Sequence, residues 1–195
     1  MSQGQNLAEF FRLYLKKPGV IGAIAPSSSH LARAMMEWLE WNDALVVIEY
    51  GPGTGSFTNE IIRNKLPECK YLGIEINAVL AGIFRKQFPS LTLYEDSVAN
   101  VRAICDLEKV ASADCIVCGL PWASFSASMQ TTFLDAMMSV LRPGGQFVTF
   151  AYLQGLLLPA GQRFRRKLRR YFSQVSTSQT VWLNLPPAFV YRCRR

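Results

Sequence analysis

The sequence predicts an α/β fold: a seven-stranded, mostly parallel sheet with a C-terminal antiparallel hairpin and helices on both faces. Three observations carry this reading. Short β-branched, apolar runs recur along the chain, the pattern of buried strands. Segments of helical period separate most of them, which makes βαβ units and hence parallel pairing. The final stretch breaks the alternation with two strand-like runs in succession.

Taken in order, ALVVIEY (44–50) is the first strand and stops at glycine. KYLGIEI (70–76), LTLYE (91–95), CIVCGL (115–120) and GQFVTFAY (145–152) have the same character. Between them SFTNEIIRNKL, NAVLAGIFRKQF and SMQTTFLDAMMSVL read as helices, the last closed by RPGG, a helix stop signal. The tail, SQVSTSQTVWLNLPPAFVYRCRR, reads as two strands joined through LNLPP. Before the first strand, Leu7, Phe10, Phe11 and Tyr14 recur at helical spacing among Arg12, Lys16 and Lys17, which marks an amphipathic helix.

The 195 residues, half of them apolar, suit one domain spanning 1–195, with 1–35 as an N-terminal amphipathic helix and lid segment. No apolar run approaches the roughly 20 residues that span a bilayer. MSQGQNLAEFFRLYLKK lacks the charged start, apolar block and cleavage site of a secretion signal. The cysteines at 69, 105, 115, 118 and 193 are odd in number and scattered, as expected of reduced thiols in a cytoplasm. Cys115-x-x-Cys118 lies within a predicted strand without a second Cys/His pair, so buried thiols are expected and no metal. The net charge is +7, and without the six basic residues of RFRRKLRR (163–170) it would be +1. An excess so local implies an anionic partner.

VVIEYGPGTGSF (46–57) is a strand, a glycine-rich turn and a helix start. It lacks the lysine of a phosphate-cradling loop, and Ser56 stands at the third glycine of a dinucleotide loop. What remains is E-x-G-x-G-x-G: Glu49, Gly51, Gly53 and Gly55, with Tyr50 between. This resembles motif I of the S-adenosylmethionine-dependent methyltransferases, so a Rossmann-like class I methyltransferase is expected. The resemblance implies that the loop wraps the methionine part of S-adenosylmethionine, with S-adenosylhomocysteine as product, while Glu49 helps to hold its charged end. Glu75 ends the next strand, 22 residues after Gly53, where a carboxylate accepts the ribose hydroxyls and Ile76 packs on the adenine. Asp96 and Ser97 end the third strand and are the candidates for the adenine amine. Gly119 and Trp122 sit in GLPW after the fourth, where amino-methylating relatives carry an Asn/Asp-Pro-Pro-Tyr-like turn. Gly119 offers no group to read a base, whereas Trp122 offers an aromatic face to an alkyl-ammonium.

FFRLYLKKPGVIGAIAPSSSHLARAM (10–35), IEYGPGTGSFT (48–58), LRPGG (141–145) and VWLNLPPAFVYRCRR (181–195) together resemble the bacterial phospholipid N-methyltransferases. Those enzymes convert phosphatidylethanolamine towards phosphatidylcholine. More distantly the chain is similar to the ribosomal RNA adenine dimethylases. The first resemblance implies a phospholipid substrate at an anionic membrane surface, on the inner face of the cytoplasmic membrane. Phe10 and Phe11 would insert shallowly while Arg163, Arg165, Arg166, Lys167, Arg169 and Arg170 pair with headgroups, the aromatics at helical spacing in that run adding a second contact. Ser28 is expected in a lid over the cofactor. Trp122 and Tyr14 are candidates to shelter the charge that grows on the amine, and His30 reads as a capping or packing residue rather than a base. An RNA or DNA adenine methyltransferase gripping phosphates with 163–170 is the runner-up. A small-molecule amine methyltransferase and a membrane-binding protein that has lost catalysis are further alternatives.

Overall fold

The computed structural model of the protein describes residues 27–195, so the expectations for Phe10, Phe11 and Tyr14 lie outside the described residues. Seven strands, β1 (Val46–Tyr50), β2 (Lys70–Ile74), β3 (Thr92–Tyr94), β4 (Ala113–Cys118), β5 (Leu141–Tyr152), β6 (Gln174–Thr177) and β7 (Ala188–Arg194), form one sheet in the order β3-β2-β1-β4-β5-β7-β6. β1 to β5 pair in parallel, and β7 runs antiparallel between β5 and β6. The predicted sheet and hairpin are both present. The hairpin connection, residues 178–187, is longer than the predicted LNLPP joint.

Among the described residues six α-helices accompany the strands: α1 (Ser29–Met36), α2 (Thr58–Asn64), α3 (Ala78–Gln87), α4 (Val101–Leu107), α5 (Ala127–Met138) and α6 (Pro159–Tyr171). Strand side chains alternate between faces, so β1 sends Ile48 and Tyr50 to one core cluster and Val47 to the other. α4, α5 and α6 cover the first cluster, and α1, α2 and α3 the second. Local signals set where helices start. Asn77 Oδ1 accepts the N–H of Val79 and Leu80 to cap α3, and Ser126 Oγ accepts that of Met129 to cap α5. Each such cap stabilises a helix by about 1 kcal/mol.

Two elements depart from expectation. α4 was not foreseen, because its apolar positions Val101, Ile104 and Cys105 span little more than one turn. β5 starts at Leu141, so the RPGG stretch is extended strand rather than a loop. Tertiary pairing overrides the turn signal there. Gly144 takes a left-handed φ of 73° and its N–H reaches the carbonyl of Arg195, whose own N–H returns to Gly145.

The basic run is helical, as its spacing implies, but its apolar positions do not face outward. Phe164, Leu168 and Phe172 are buried in the core, and Phe172 stacks on Phe147 with ring centroids 5.5 Å apart. Lys167 Nζ is committed to the Ala127 carbonyl and Thr131 hydroxyl of α5. What α6 presents outward is a row of arginines: Arg165, Arg166, Arg169 and Arg170 are exposed, with Arg163 half-buried. No helix among the described residues is long and apolar enough to cross a membrane. All five cysteines are free and buried, and burial pushes the Cys115 and Cys118 thiols up to about 12, so both are inert at neutral pH.

Candidate active site

The strand order reverses between β1 and β4, and open α/β sheets bind ligands at that point, outside the carboxyl ends of the strands. A narrow cleft lies there, lined by Gly51, Ile74, Glu75, Ile76, Asp96, Ser97, Val98, Leu120 and Phe133. It brings together residues that the sequence scattered over three strand ends. Behind β1, Gly51, Gly53 and Gly55 all have left-handed φ angles of 65°, 58° and 90°, which side-chain-bearing residues rarely adopt. A Cβ at Gly53 would meet nothing within 4 Å, so its main chain is open to a ligand.

Glu75 is buried at the centre of the cleft. Its Oε2 accepts the Gly53 N–H at 3.1 Å and its Oε1 the Asn77 N–H at 2.9 Å, which fixes the carboxylate and ties loop β1–α2 to β2. A carboxylate has about four acceptor sites, leaving two for the paired hydroxyls of a ribose. Burial raises its pKa, against those backbone bonds. Asp96 Oδ1 accepts the Ser97 N–H at 2.6 Å and the Asn100 amide at 2.8 Å, so the carboxyl is held rigidly at the cleft's rim. Ser97 Oγ in turn accepts the N–H of Ala99.

Glu49 is fully buried. Its Oε2 accepts the Tyr71 hydroxyl at 2.6 Å and the Thr58 hydroxyl at 2.7 Å, while Oε1 has no partner among the described residues. Desolvation outweighs those two bonds and raises the carboxyl to about 7. A buried, half-satisfied acid at the end of β1 is what a cationic amino group would complete. The donor set therefore fits S-adenosylmethionine: an orphaned acceptor for its charged end, a bare glycine turn, and a fixed carboxylate for its ribose.

Other expected residues stand elsewhere. The Tyr50 ring is enclosed in the core, leaving only its main chain at the site, where its carbonyl accepts the Gly119 N–H at 2.8 Å. Ser28 does not line the cleft. It caps α1 through Leu31 and its own N–H binds Asn184 Oδ1 at 3.0 Å, so it anchors the polypeptide leading into α1. His30 stands exposed on the first turn of α1, where Ser28 provides the cap.

Trp122 is only 3% exposed, and one face of its indole is covered by Phe164, parallel at 4.3 Å. Phe125, Phe133 and Phe147 meet it edge-on. It is therefore a packing residue first, and an open cation platform is not available on the Phe164 side. Gly119 has no room for a side chain, since a Cβ would lie 2.8 Å from the Gly51 carbonyl oxygen. The missing base-reading group is thus a steric consequence of β1 and β4 closing together.

The second cavity was not visible in the sequence. About 250 Å³ in volume, it opens beside the same turn and is walled by Gly119, Leu120, Trp122, Phe150, Leu156 and Phe164, with Tyr152 and Tyr191 also in its lining. Leu120 lines both cavities, so the two lie on either side of this one residue.

A Rossmann-like sheet with this glycine turn and these strand-end acids defines a class I S-adenosylmethionine-dependent methyltransferase. The family comparison agrees: residues 47–145 match the "Methyltransferase domain" family, and the chain belongs to it. It is also 30% identical to the ornithine lipid N-methyltransferase of Singulisphaera acidiphila, over 95% of this chain and 94% of that protein. Among solved structures, the O-methyltransferase of Bacillus cereus in complex with S-adenosylhomocysteine superposes with a TM-score of 0.65 at 13% identity, covering 99% of this chain and 92% of that one. Precorrin-6y C5,15-methyltransferase of Geobacter metallireducens gives 0.62 at 19% identity over 84% and 88%. These two share the fold.

Proposed function

We propose that the protein transfers a methyl group to the amine of a membrane-lipid headgroup, at an anionic membrane surface. The observation that carries this reading is the apolar cavity that shares Leu120 with the cofactor cleft. The likeness to a lipid N-methyltransferase over nearly the whole chain supports it. Phosphatidylethanolamine and an ornithine lipid offer the same chemistry, an amine tethered to hydrocarbon.

S-adenosylmethionine would supply an electrophilic methyl group on a sulfonium, open to in-line attack by the amine with S-adenosylhomocysteine as the leaving group. The protein's part is to hold the two reactants in contact, which alone lowers a barrier by several kcal/mol, up to about 10. The amine must attack unprotonated, while its free pKa lies near ~10. The Leu, Phe and Trp walls of the acceptor cavity strip water from it and so favour the neutral form. In the 119–121 turn, the carbonyls of Leu120 and Pro121 already accept the N–H groups of Trp122 and Ser124. The Gly119 carbonyl is the acceptor left to orient an amine N–H. No Asp, Glu, His or Lys side chain lines the cavity among the described residues, so Tyr152 and Tyr191 are the titratable groups they bring to it.

The test is transfer of labelled methyl from S-adenosylmethionine to vesicles carrying phosphatidylethanolamine in one arm and an ornithine lipid in the other, beside arms with RNA and with free ethanolamine. Label in either lipid arm supports the reading and names the headgroup. Label only in RNA or the free amine overturns it.

A further inference from the structure

Of the ten large apolar residues exposed among the described residues, five lie in two joined segments, and the other five, Leu45, Ile62, Val79, Ile83 and Leu107, lie on other elements. Trp182, Leu183 and Leu185 are 69%, 69% and 80% exposed, all within the β6–β7 connection, and Leu157 and Leu158 are 81% and 46% exposed on the turn that precedes α6. Residues 178–187, SQTVWLNLPP, contain no charge at all. A loop that projects Trp and Leu into water forgoes stabilisation of about 1.5–3 kcal/mol for each large side chain it could have buried.

This exposure is built rather than frayed. Val181 and Ala188 exchange backbone bonds across the base of the loop at 2.7 and 3.4 Å. Asn184, in the middle of it, is buried. Its amide donates to the Pro186 carbonyl at 2.8 Å and its Oδ1 receives the Ser28 N–H. At the tip of the loop Asn184 thus points in and fastens it, while Trp182, Leu183 and Leu185 on either side point out, the reverse of an ordinary surface turn.

Position gives the display a purpose. Leu153 N–H bonds the Pro187 carbonyl at 3.0 Å, which joins the loop to the 153–158 turn, and that turn walls the acceptor cavity with Gln154, Gly155, Leu156 and Leu158. Directly after Leu158 comes α6 with its outward arginines. Apolar loops rimming an apolar cavity, next to a cationic helix, match a bilayer: hydrocarbon below, anionic headgroups at the surface, and tryptophan at the level between.

We propose that residues 182–185 insert into the membrane interface, with Leu157 and Leu158 beside the cavity mouth, so that a lipid passes from bilayer to cavity without crossing water. The proposal rests on the lipid reading above for its purpose, but not for its test. Trp182→Ser/Leu183→Ser/Leu185→Ser is compared with the unaltered chain for co-flotation with vesicles of equal parts phosphatidylcholine and phosphatidylglycerol. Binding should weaken by about tenfold or more, with thermal midpoint and S-adenosylhomocysteine affinity unchanged. In a second measurement, lipids brominated in the acyl chain should quench the fluorescence of the unaltered chain more than that of Trp182→Phe. Equal flotation of the triple variant, or equal quenching, overturns the proposal. So does a triple variant whose only change is a smaller mass in solution, since the loop is then a contact between copies of the chain. If the triple variant loses vesicles while the unaltered chain methylates no lipid, the insertion stands and the lipid substrate falls.

Discussion

The two halves of the site are built on different principles. On the β1–β3 side a few polar groups, each fixed by named hydrogen bonds, prepare for a cofactor of known charge and shape: Glu75 on two backbone N–H groups, Asp96 on two more donors, Glu49 on two hydroxyls. On the β4–β5–α6 side the acceptor cavity is walled by Leu, Phe and Trp side chains whose positions come from packing. The first half concentrates binding in single atoms, and the second spreads it over area. Single substitutions should therefore cut deep on one side and shallow on the other.

The largest effect belongs to Glu75. Glu75→Ala removes the ribose acceptor and frees the Gly53 N–H it holds. With each charge-assisted bond worth about 1.5–3 kcal/mol, S-adenosylhomocysteine affinity by calorimetry should fall by about 100-fold or more. Vesicle binding should not change. A fall in both would show the halves to be one cooperative unit. Next comes the seam between them. Gly119→Asn places a base-reading side chain where nucleic-acid enzymes carry one, but its Cβ meets the Gly51 carbonyl at 2.8 Å. It should lower both cofactor affinity and turnover by tens of fold, roughly 2–3 kcal/mol of strain, without conferring methylation of RNA. Appearance of that activity would show that the turn relaxes and that Gly119 chose the substrate class.

The same contrast explains what the sequence made legible. Glu49, Gly51, Gly53, Glu75 and Asp96 could be placed because a charged or glycine residue at a strand end has few structural reasons to be there. The acceptor cavity could not, since Phe150, Leu156 and Phe164 look like core in any helix or strand. Trp122 was read as a cation platform for want of its partner: only the fold shows Phe164, 42 residues later, lying against the ring. The aromatics of 163–172 were likewise assigned to a membrane by their spacing, which an amphipathic helix shares whether it faces lipid or core. α6 turns that face inward, and five of the ten exposed large apolar residues are instead in two loops, where no periodicity marks them.

Glu49 supplies a smaller effect with a sign that can be checked. Its carboxyl is raised from 4.5 to about 7 by burial. Ionising it in the cofactor-free protein therefore costs stability, which is fully present below about pH 4.5 and lost as the pH rises through 7. A bound ammonium favours the carboxylate, so S-adenosylhomocysteine affinity should rise as the pH increases towards 7 and level off above it, by up to about tenfold per pH unit. Glu49→Gln should flatten the profile. A profile unchanged by that substitution would place the titrating group elsewhere.

The smallest effects fall on the acceptor side, and Gly161 is the sharpest case there. A Cβ at this position would lie 2.1 Å from the Gly155 carbonyl oxygen, so α6 approaches the 153–158 turn closely only because residue 161 has no side chain. Both flank the cavity, and Gly161→Ala should push them apart. Strain of roughly 1–3 kcal/mol then appears as a several-fold or greater rise in KM for vesicular lipid, with S-adenosylhomocysteine affinity untouched and kcat nearly so. Arg165→Gln should act more weakly still, at about 1 kcal/mol of attraction for one basic residue, and only on anionic vesicles, fading as salt screens the surface. The two substitutions are separable by that salt dependence, because a steric wall is indifferent to ions. If Gly161→Ala instead weakened cofactor binding as strongly as Glu75→Ala, the division of labour would be wrong, and the shared Leu120 wall would be transmitting strain from one cavity to the other.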